Sequence, residues 1–270
     1  MSSKYIGIFD SGLGGLTAVK ELMHLLPHEP IVYFGDTGRV PYGSKSNETI
    51  IKYTKSDIRF LNTFDLKLII VACGTASTIA LPEVAGTLDI PIFGVVDAAV
   101  KAAVAATKNK RIGIIGTAGS IRSGAYAKKI KEADSGIYTI SNPCPMFVPL
   151  VENGFTEGEV ARLVAKEYLA PIKAAGVDTL ILGCTHYPLL ADTIRDIMGN
   201  DVTLIDPGKV TASFVKGYLE EQGLLCGMSV EDQYRFFVSD YPDDFATLGA
   251  RFLQQEIPGG VEKIDIERYM

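Results

Sequence analysis

Residues 66–77 read LKLIIVACGTAS, a nearly unbroken apolar run that ends at Cys73 and is followed by glycine and threonine. A run of about 4–8 apolar residues bounded by a turn signal is typical of a strand buried in a parallel sheet. Similar runs at 5–9 and 31–36 also lead into polar, glycine-containing loops, and helix patterns separate the runs. Strands that alternate with helices predict an α/β fold with mainly parallel sheets.

The pattern of the first part of the chain recurs in the second part. Three segments have later counterparts: 5–14 matches 111–120, 66–76 matches 178–188, and 92–98 matches 202–208. Equivalent positions are separated by similar distances along the chain, 106 residues for Ile6 and Ile112 and 111 residues for Cys73 and Cys184. This repetition predicts two pseudo-symmetric α/β domains. Ligands of such sheets bind at the carboxyl ends of the strands, so we expect the active site at the domain interface.

The domain boundaries follow from where the repeat ends. The 270 residues suit two modest domains. One more strand pattern, at 234–240, comes after the repeat and is expected to return to the first half. We therefore predict a discontinuous first domain of residues 1–97 plus 207–270, and a second domain of residues 98–206.

Composition limits the classes of partner. The net charge is −6 and no dense block of lysine and arginine is present, which disfavours binding to nucleic acid or to anionic membranes. The N-terminal MSSKYIGIFD lacks a signal-peptide layout, and apolar runs such as LIIVAC are far shorter than the roughly 20 residues that span a membrane. We expect a cytoplasmic protein with a small-molecule substrate. A homodimer is left open, because the sequence does not determine the oligomeric state.

The four cysteines form no CxxC pair, so neither a zinc site nor a thioredoxin-type motif is predicted. Cys144 and Cys226 have no counterpart in the repeat and are interpreted as small buried hydrophobic residues. Cys73 and Cys184 differ from them, because each follows an apolar strand pattern at the same place in its half.

Two opposed thiols suit the inversion of a stereocentre. One group removes a proton from one face of the carbon, and the other delivers a proton to the opposite face. A thiol has an ordinary pKa of about 8.5, which nearby donors and helix N-termini tune toward neutrality.

Two other chemistries fit the residues less well. A Cys184–His186 hydrolase pair leaves Cys73 unexplained, and we expect its two side chains to point away from each other. A dinucleotide fingerprint would need glycine where Thr17 stands.

The sequence resembles the glutamate racemases, cofactor-independent enzymes of the aspartate/glutamate racemase superfamily. The resemblance covers nearly the whole chain and rests on these segments: IGIFDSGLGGLTAVKEL, YFGDTGRVPYGSKS, VACGTAS, GVVDAA, IGIIGTAGSIRSGAY, PLVENG, LILGCTHYPLL and FVSDYPDDF. It implies the interconversion of L- and D-glutamate without cofactor or metal, and a supply of D-glutamate for peptidoglycan.

The resemblance also implies roles for individual residues. Cys73 and Cys184 are the two acid/base groups, and Asp10, Glu152 and His186 support the cysteines or the substrate ammonium. The implied substrate-binding residues are Asp10, Ser11, Pro41, Tyr42, Gly43, Gly74, Thr75, Thr117, Ser120, Thr185 and His186.

One departure from the family pattern keeps other functions open. The family usually has Cys-Asn-Thr where this chain has Cys73-Gly74-Thr75, so Gly74 offers the substrate only backbone contacts. A racemase of aspartate or of another amino acid, with the same chemistry, is therefore an alternative. A non-catalytic binding protein that retains the pocket is a second alternative.

Overall fold

The computed structural model describes residues 4–227 and 233–270. Within these ranges the strands form two parallel sheets. The strands are β1 Tyr5–Asp10, β2 Ile31–Gly35, β3 Leu66–Val71, β4 Ile92–Gly94, β5 Arg111–Gly116, β6 Tyr138–Pro143, β7 Thr179–Gly183, β8 Thr203–Ile205, β9 Tyr234–Val238 and β10 Val261–Lys263. The predicted α/β class with parallel sheets is confirmed.

The helices of the described residues alternate with the strands, as the βαβ pattern requires. The α-helices are α1 Leu16–Leu25, α2 Asn47–Leu61, α3 Gly74–Ile79, α4 Leu81–Val84, α5 Val95–Ala106, α6 Ala118–Ser123, α7 Ala125–Ala133, α8 Phe147–Glu152, α9 Gly158–Ala174, α10 Ala191–Met198, α11 Pro207–Glu221 and α12 Pro242–Leu253. Short 3₁₀ helices cover Tyr42–Ser44, Ala85–Thr87, Tyr187–Leu190 and Ile266–Tyr269.

Each sheet collects strands from one part of the predicted repeat. The first sheet has the order β10-β9-β2-β1-β3-β4, and the second has the order β6-β5-β7-β8. The late strands β9 and β10 therefore return to the first sheet. Helix α11 packs against both α1 and α5 and so connects the two halves. The exact domain boundaries at residues 97 and 207 stay a prediction.

The strand register brings the functional loops to one edge. In the first sheet, Phe9 pairs with Phe34 and with Val71, so β1, β2 and β3 end side by side. In the second sheet, Gly116 pairs with Gly183, which aligns the ends of β5 and β7. Side chains that follow these five strands are therefore brought toward the same cleft.

The buried core explains the apolar runs and their one interruption. Every residue of β3 is buried, including Lys67. The Lys67 ammonium lies 2.6 Å from the Glu29 carboxylate, and both side chains are 1% exposed. A buried charge needs a partner of this kind. The pair lies near the amino end of β3, at the opposite end of the strand from Cys73.

No helix among residues 4–227 and 233–270 is long and apolar enough to cross a membrane.

Candidate active site

The loops after β1, β2, β3, β5 and β7 enclose one small cavity of about 40 Å³ between the two sheets. Its volume is well below the roughly 300 Å³ of an ordinary small-molecule pocket, so the cleft is nearly closed. The lining residues are Ser11, Val40, Pro41, Tyr42, Gly43, Cys73, Gly74, Thr75, Thr117, Val148, Gly183, Cys184, Thr185 and His186. Of the predicted site residues, Asp10, Ser120 and Glu152 stand behind this lining.

Cys73 lies on the side of the cavity formed by the first sheet. It precedes helix α3, and its sulfur accepts a hydrogen bond from the Ala76 amide at 3.5 Å. The sulfur also lies 3.6 Å from the Ser11 hydroxyl. Burial raises the pKa of Cys73 to about 12, and the nearby Asp10 charge adds to this effect. Cys73 is therefore a neutral thiol at physiological pH.

Asp10 lies beneath Cys73 at the end of β1. Its carboxylate accepts the Gly12 amide at 2.9 Å and lies 3.5 Å from the Thr185 hydroxyl, which belongs to the second half of the chain. Burial raises the pKa of Asp10, while the charge of His186 lowers it. The carboxylate thus links the two sides of the cleft through its hydrogen bond with Thr185.

Cys184 lies on the opposite side of the cavity, where it contacts His186, which in turn contacts Glu152. Its sulfur is 3.9 Å from Nδ1 of His186, and Nε2 of His186 is 3.1 Å from Oε1 of Glu152. Burial lowers the pKa of His186, but its hydrogen bonds with Cys184 and Glu152 outweigh burial and raise that pKa to about 10. The imidazole is therefore protonated at neutral pH, and its positive charge lies beside the Cys184 sulfur.

The geometric objection to contact between Cys184 and His186 was wrong. Strand β7 ends at Gly183, so both residues lie in the loop that follows it. Residues two apart share a face even within a strand, and here the loop brings the Cys184 sulfur to 3.9 Å from Nδ1 of His186.

A group of hydroxyls closes the cavity between the two halves. The Thr75 and Thr117 hydroxyls are 3.0 Å apart, and Ser120 lies 3.4 Å from Thr75. Thr117 also caps helix α6 by accepting the Ser120 amide. Ser120 stands behind the lining, and its hydroxyl also lies 3.0 Å from that of Thr117.

The segment Pro41-Tyr42-Gly43 forms the outer wall. The Tyr42 hydroxyl lies 2.5 Å from the Asp36 carboxylate and 2.8 Å from the Asp57 carboxyl, so it points away from the cavity. A Cβ atom on residue 43 would lie only 2.9 Å from Cβ of Thr117. Because Gly43 lacks this atom, the loop can approach the second half closely.

Three lining residues were missed by the sequence reasoning, namely Val40, Val148 and Gly183. Val40 is adjacent to the Pro41-Tyr42-Gly43 segment. Val148 is on α8, four residues before Glu152, so helical spacing places both on one face. That spacing is the signal that would have found Val148.

Gly74 brings the two halves into backbone contact. A Cβ atom at this position would lie 2.7 Å from the carbonyl oxygen of Gly183. Gly74 follows Cys73 and Gly183 precedes Cys184, so this contact helps to set the separation of the two sulfurs.

Comparison with known proteins gives one consistent result. Residues 18–215 match the family model described as Asp/Glu/Hydantoin racemase. A glutamate racemase of Geobacter metallireducens is 47% identical over 267 residues, which cover 99% of this chain and 98% of that protein.

Solved structures agree with the sequence comparison. Glutamate racemase from Francisella tularensis, crystallised in complex with D-glutamate, is 40% identical, with a TM-score of 0.92 and complete coverage of both chains. Escherichia coli glutamate racemase in complex with L-glutamate and an activator is 27% identical, with a TM-score of 0.79 and coverage of 97% of this chain and 98% of that chain. The chain belongs to the Asp/Glu/Hydantoin racemase family.

Proposed function

We propose that this protein interconverts L- and D-glutamate by two-base proton transfer between Cys184 and Cys73. The observation that supports this most is the position of the two thiols. Each follows an equivalent strand, β3 or β7, in a different sheet, and both line one cavity. An amino acid held between them would present opposite faces of its α-carbon to the two sulfurs.

The polar partners support different starting states for the two thiols. The protonated imidazole of His186 lies beside the Cys184 sulfur, whereas burial beside Asp10 raises the pKa of Cys73 and keeps it protonated. In the resting enzyme, Cys184 is therefore the base and Cys73 is the acid. Glu152 holds the imidazolium through its hydrogen bond to Nε2.

Each step conserves protons and charge. The Cys184 thiolate removes the α-proton, so the Cα–H bond breaks and an S–H bond forms, and the electron pair stays on the substrate. Cys73 then gives its proton to the opposite face, which forms the inverted Cα–H bond and leaves a thiolate on Cys73. The enzyme in this second state is ready for the reverse reaction, and exchange with solvent returns it to the resting state.

The remaining lining residues are suited to hold the substrate. The hydroxyls of Thr75, Thr117 and Thr185 and the backbone at Gly43 and Gly74 offer hydrogen-bond donors for carboxylates. Ser11 lies next to Cys73. Asp10 lies behind the lining and balances the positive charge of His186.

Glutamate is chosen as the substrate on the strength of the relatives. The relatives described above are glutamate racemases, and one was crystallised with D-glutamate. We extend the proposal to catalysis without cofactor or metal in the cytoplasm, and to the supply of D-glutamate for peptidoglycan. Neither nucleic acid nor a membrane is a proposed partner, and a homodimer remains open.

The proposal is tested by chiral analysis of glutamate after incubation with dialysed protein lacking pyridoxal phosphate. Wild type should racemise both enantiomers, and Cys73→Ala and Cys184→Ala should each lose racemisation. Cys226→Ala is the matched control, because Cys226 lies outside the cavity lining. Wild-type rates in both cavity variants would reject the mechanism.

A racemase of aspartate or of another amino acid is the second candidate, favoured by Gly74. This residue gives the substrate no side-chain contact where the family usually has an amide. A panel of amino acids, each assayed for α-deuterium uptake in heavy water, separates the candidates. Uptake into none of them would indicate a binding protein that has retained the pocket.

A further inference from the structure

A buried polar cluster lies beneath the loop that carries Pro41-Tyr42-Gly43. It comprises two acids and one arginine, namely Asp36 after β2, Asp57 on α2 and Arg39 between them in the chain, together with the Tyr42 hydroxyl. Asp36 and Asp57 are both 0% exposed. The catalytic steps above do not use these acids, and their burial calls for a physical explanation.

The Asp36 carboxylate has three donors. Its Oδ2 atom accepts Nε of Arg39 at 2.7 Å and the Tyr42 hydroxyl at 2.5 Å. Its Oδ1 atom accepts the Ser239 hydroxyl at 2.9 Å. All three donors, one of them cationic, therefore face the Asp36 carboxylate.

Asp57 has a different set of partners. Its Oδ1 atom accepts Nη2 of Arg39 at 2.8 Å, and its Oδ2 atom lies 2.8 Å from the Tyr42 hydroxyl oxygen. A tyrosine hydroxyl carries one proton, and that proton is directed to Asp36 in the shorter contact. The contact between Asp57 and Tyr42 therefore needs a second proton, and Asp57 is the group that can supply it.

We infer that Asp57 is a neutral carboxylic acid that donates a hydrogen bond to Tyr42 and thereby positions the Pro41-Tyr42-Gly43 segment at the cavity. Asp57 is a positioning residue, because it acts through Tyr42 and does not line the cavity. One ionised acid then balances one arginine, and the cluster is neutral in total. The effect on catalysis rests on the proposed function, whereas the protonation state does not.

The surroundings of Asp57 support its neutral form. Burial raises the pKa of Asp57 well above its usual range, and the Asp36 charge raises it further, while Arg39 and the hydrogen bond with Tyr42 oppose both without reversing the shift. Asp10, at the end of β1, also raises this pKa. From α2, the Tyr53 ring lies beneath the Arg39 guanidinium, 4.3 Å from its carbon.

The cluster also ties the loop to a segment about 200 residues away. Besides the bond from Ser239 to Asp36, the Gly38 amide donates to the Ser239 hydroxyl at 2.7 Å. The Thr37 hydroxyl accepts the Asp240 amide at 2.9 Å. These bonds give a physical role to the polar residues of YFGDTGRVPYGSKS and FVSDYPDDF, which are not needed for proton transfer.

Two isosteric variants distinguish the acids. Asp57→Asn keeps a donor for Tyr42, an acceptor for Arg39 and the neutral charge. We expect its kcat and KM for glutamate to stay within about threefold of wild type. Asp36→Asn leaves the Arg39 charge buried without a carboxylate, so kcat/KM should fall by roughly tenfold or more and the protein should melt earlier. Asp57→Ala removes both hydrogen bonds and should raise KM by roughly tenfold, an effect that Asn rescues.

A measurement without turnover decides the protonation state. Protein labelled with ¹³C at the aspartate side-chain carboxyl is observed by NMR at about pH 8, far above the ordinary aspartate pKa of about 3.9. We expect one carboxyl signal of a protonated acid, which disappears in Asp57→Asn and persists in Asp10→Asn.

Two results would overturn the inference. One is a wild-type spectrum in which every aspartate carboxyl is ionised at this pH. The other is an Asp57→Asn variant that loses as much activity as Asp36→Asn. If Asp57→Asn does not fold, the wild-type spectrum decides the matter alone, with Asp10→Asn used to assign the signal. Failure of racemisation with the expected NMR signal would count against the proposed function only.

Discussion

Nδ1 of His186 lies 3.9 Å from the Cys184 sulfur, whereas the Cys73 sulfur lies beside the Ser11 hydroxyl and the Ala76 amide. The two thiols of the cleft are therefore supported unequally, although their strands are equivalent. Cys184 has a cationic partner, whereas burial raises the pKa of Cys73 and keeps that thiol protonated.

Replacing the imidazole of His186 should lower kcat/KM equally for L-glutamate and for D-glutamate. His186→Gln removes the positive charge beside the Cys184 sulfur, and we expect kcat/KM to fall about 100-fold, the scale of general acid–base contributions. The two enantiomers have equal free energy, so the fall in kcat/KM must be the same from L- and from D-glutamate. His24→Gln, on an exposed residue, is the control. Wild-type kcat/KM in His186→Gln would contradict a role for the imidazole.

The raised pKa of His186 predicts a pH dependence of stability. The folded pKa of about 10 is above the ordinary value of 6.5, so folding favours the protonated form. The contribution of His186 to the free energy of unfolding is fully present below pH 6.5. It decreases as the pH rises from 6.5 to about 10 and is lost above that pH. The melting temperature of wild type should therefore fall between these limits more steeply than that of His186→Gln. If the melting temperatures of wild type and His186→Gln changed equally with pH, the raised pKa of His186 would be contradicted.

Adding one carbon atom at Gly74 should separate the two halves. The new Cβ atom of Gly74→Ala would lie 2.7 Å from the Gly183 carbonyl oxygen, and backbone cannot give way cheaply. We expect a loss of about 1–3 kcal/mol in the free energy of unfolding. The kcat/KM should fall by roughly tenfold or more, because the sulfurs move apart. Gly86→Ala is the control, since nothing lies within 4 Å of a Cβ atom there. Equal behaviour of the two variants would exclude a role for close approach at Gly74.

The buried pair of Lys67 and Glu29 should affect stability but not chemistry. Lys67→Met leaves the Glu29 charge buried, and we expect a loss of about 3–5 kcal/mol in urea unfolding. The double variant Lys67→Met/Glu29→Gln should recover part of this loss, because it removes the uncompensated charge. The kcat of the folded fraction should match wild type in both, since the pair is remote from Cys73. A selective loss of kcat would contradict this assignment.

The sequence predicts features that depend on local pattern and on the repeat. The apolar run that ends at Cys73 identifies β3, and the matching run before Cys184 identifies β7. Because parallel strands align their carboxyl ends, the strand pattern also predicts that the two thiols lie at one cavity.

Other features depend on contacts between distant residues. Nothing local to Lys67 indicates that Glu29 is its partner, since 38 positions separate them. The Tyr42 hydroxyl looks available to a substrate until the folded chain places Asp36 and Asp57 around it. Contact between Cys184 and His186 depends on the conformation of the loop after β7, which the apolar pattern of the strand does not determine.

Two-base proton transfer is tested most directly by the first turnovers of L-glutamate in heavy water, followed by proton NMR and chiral separation. The S–H proton of Cys73 exchanges with solvent, so the first D-glutamate formed should carry deuterium at the α-carbon while unreacted L-glutamate keeps protium. D-glutamate that retains the substrate's own α-proton, or equal deuterium in both enantiomers from the start, would contradict a separate base on each face.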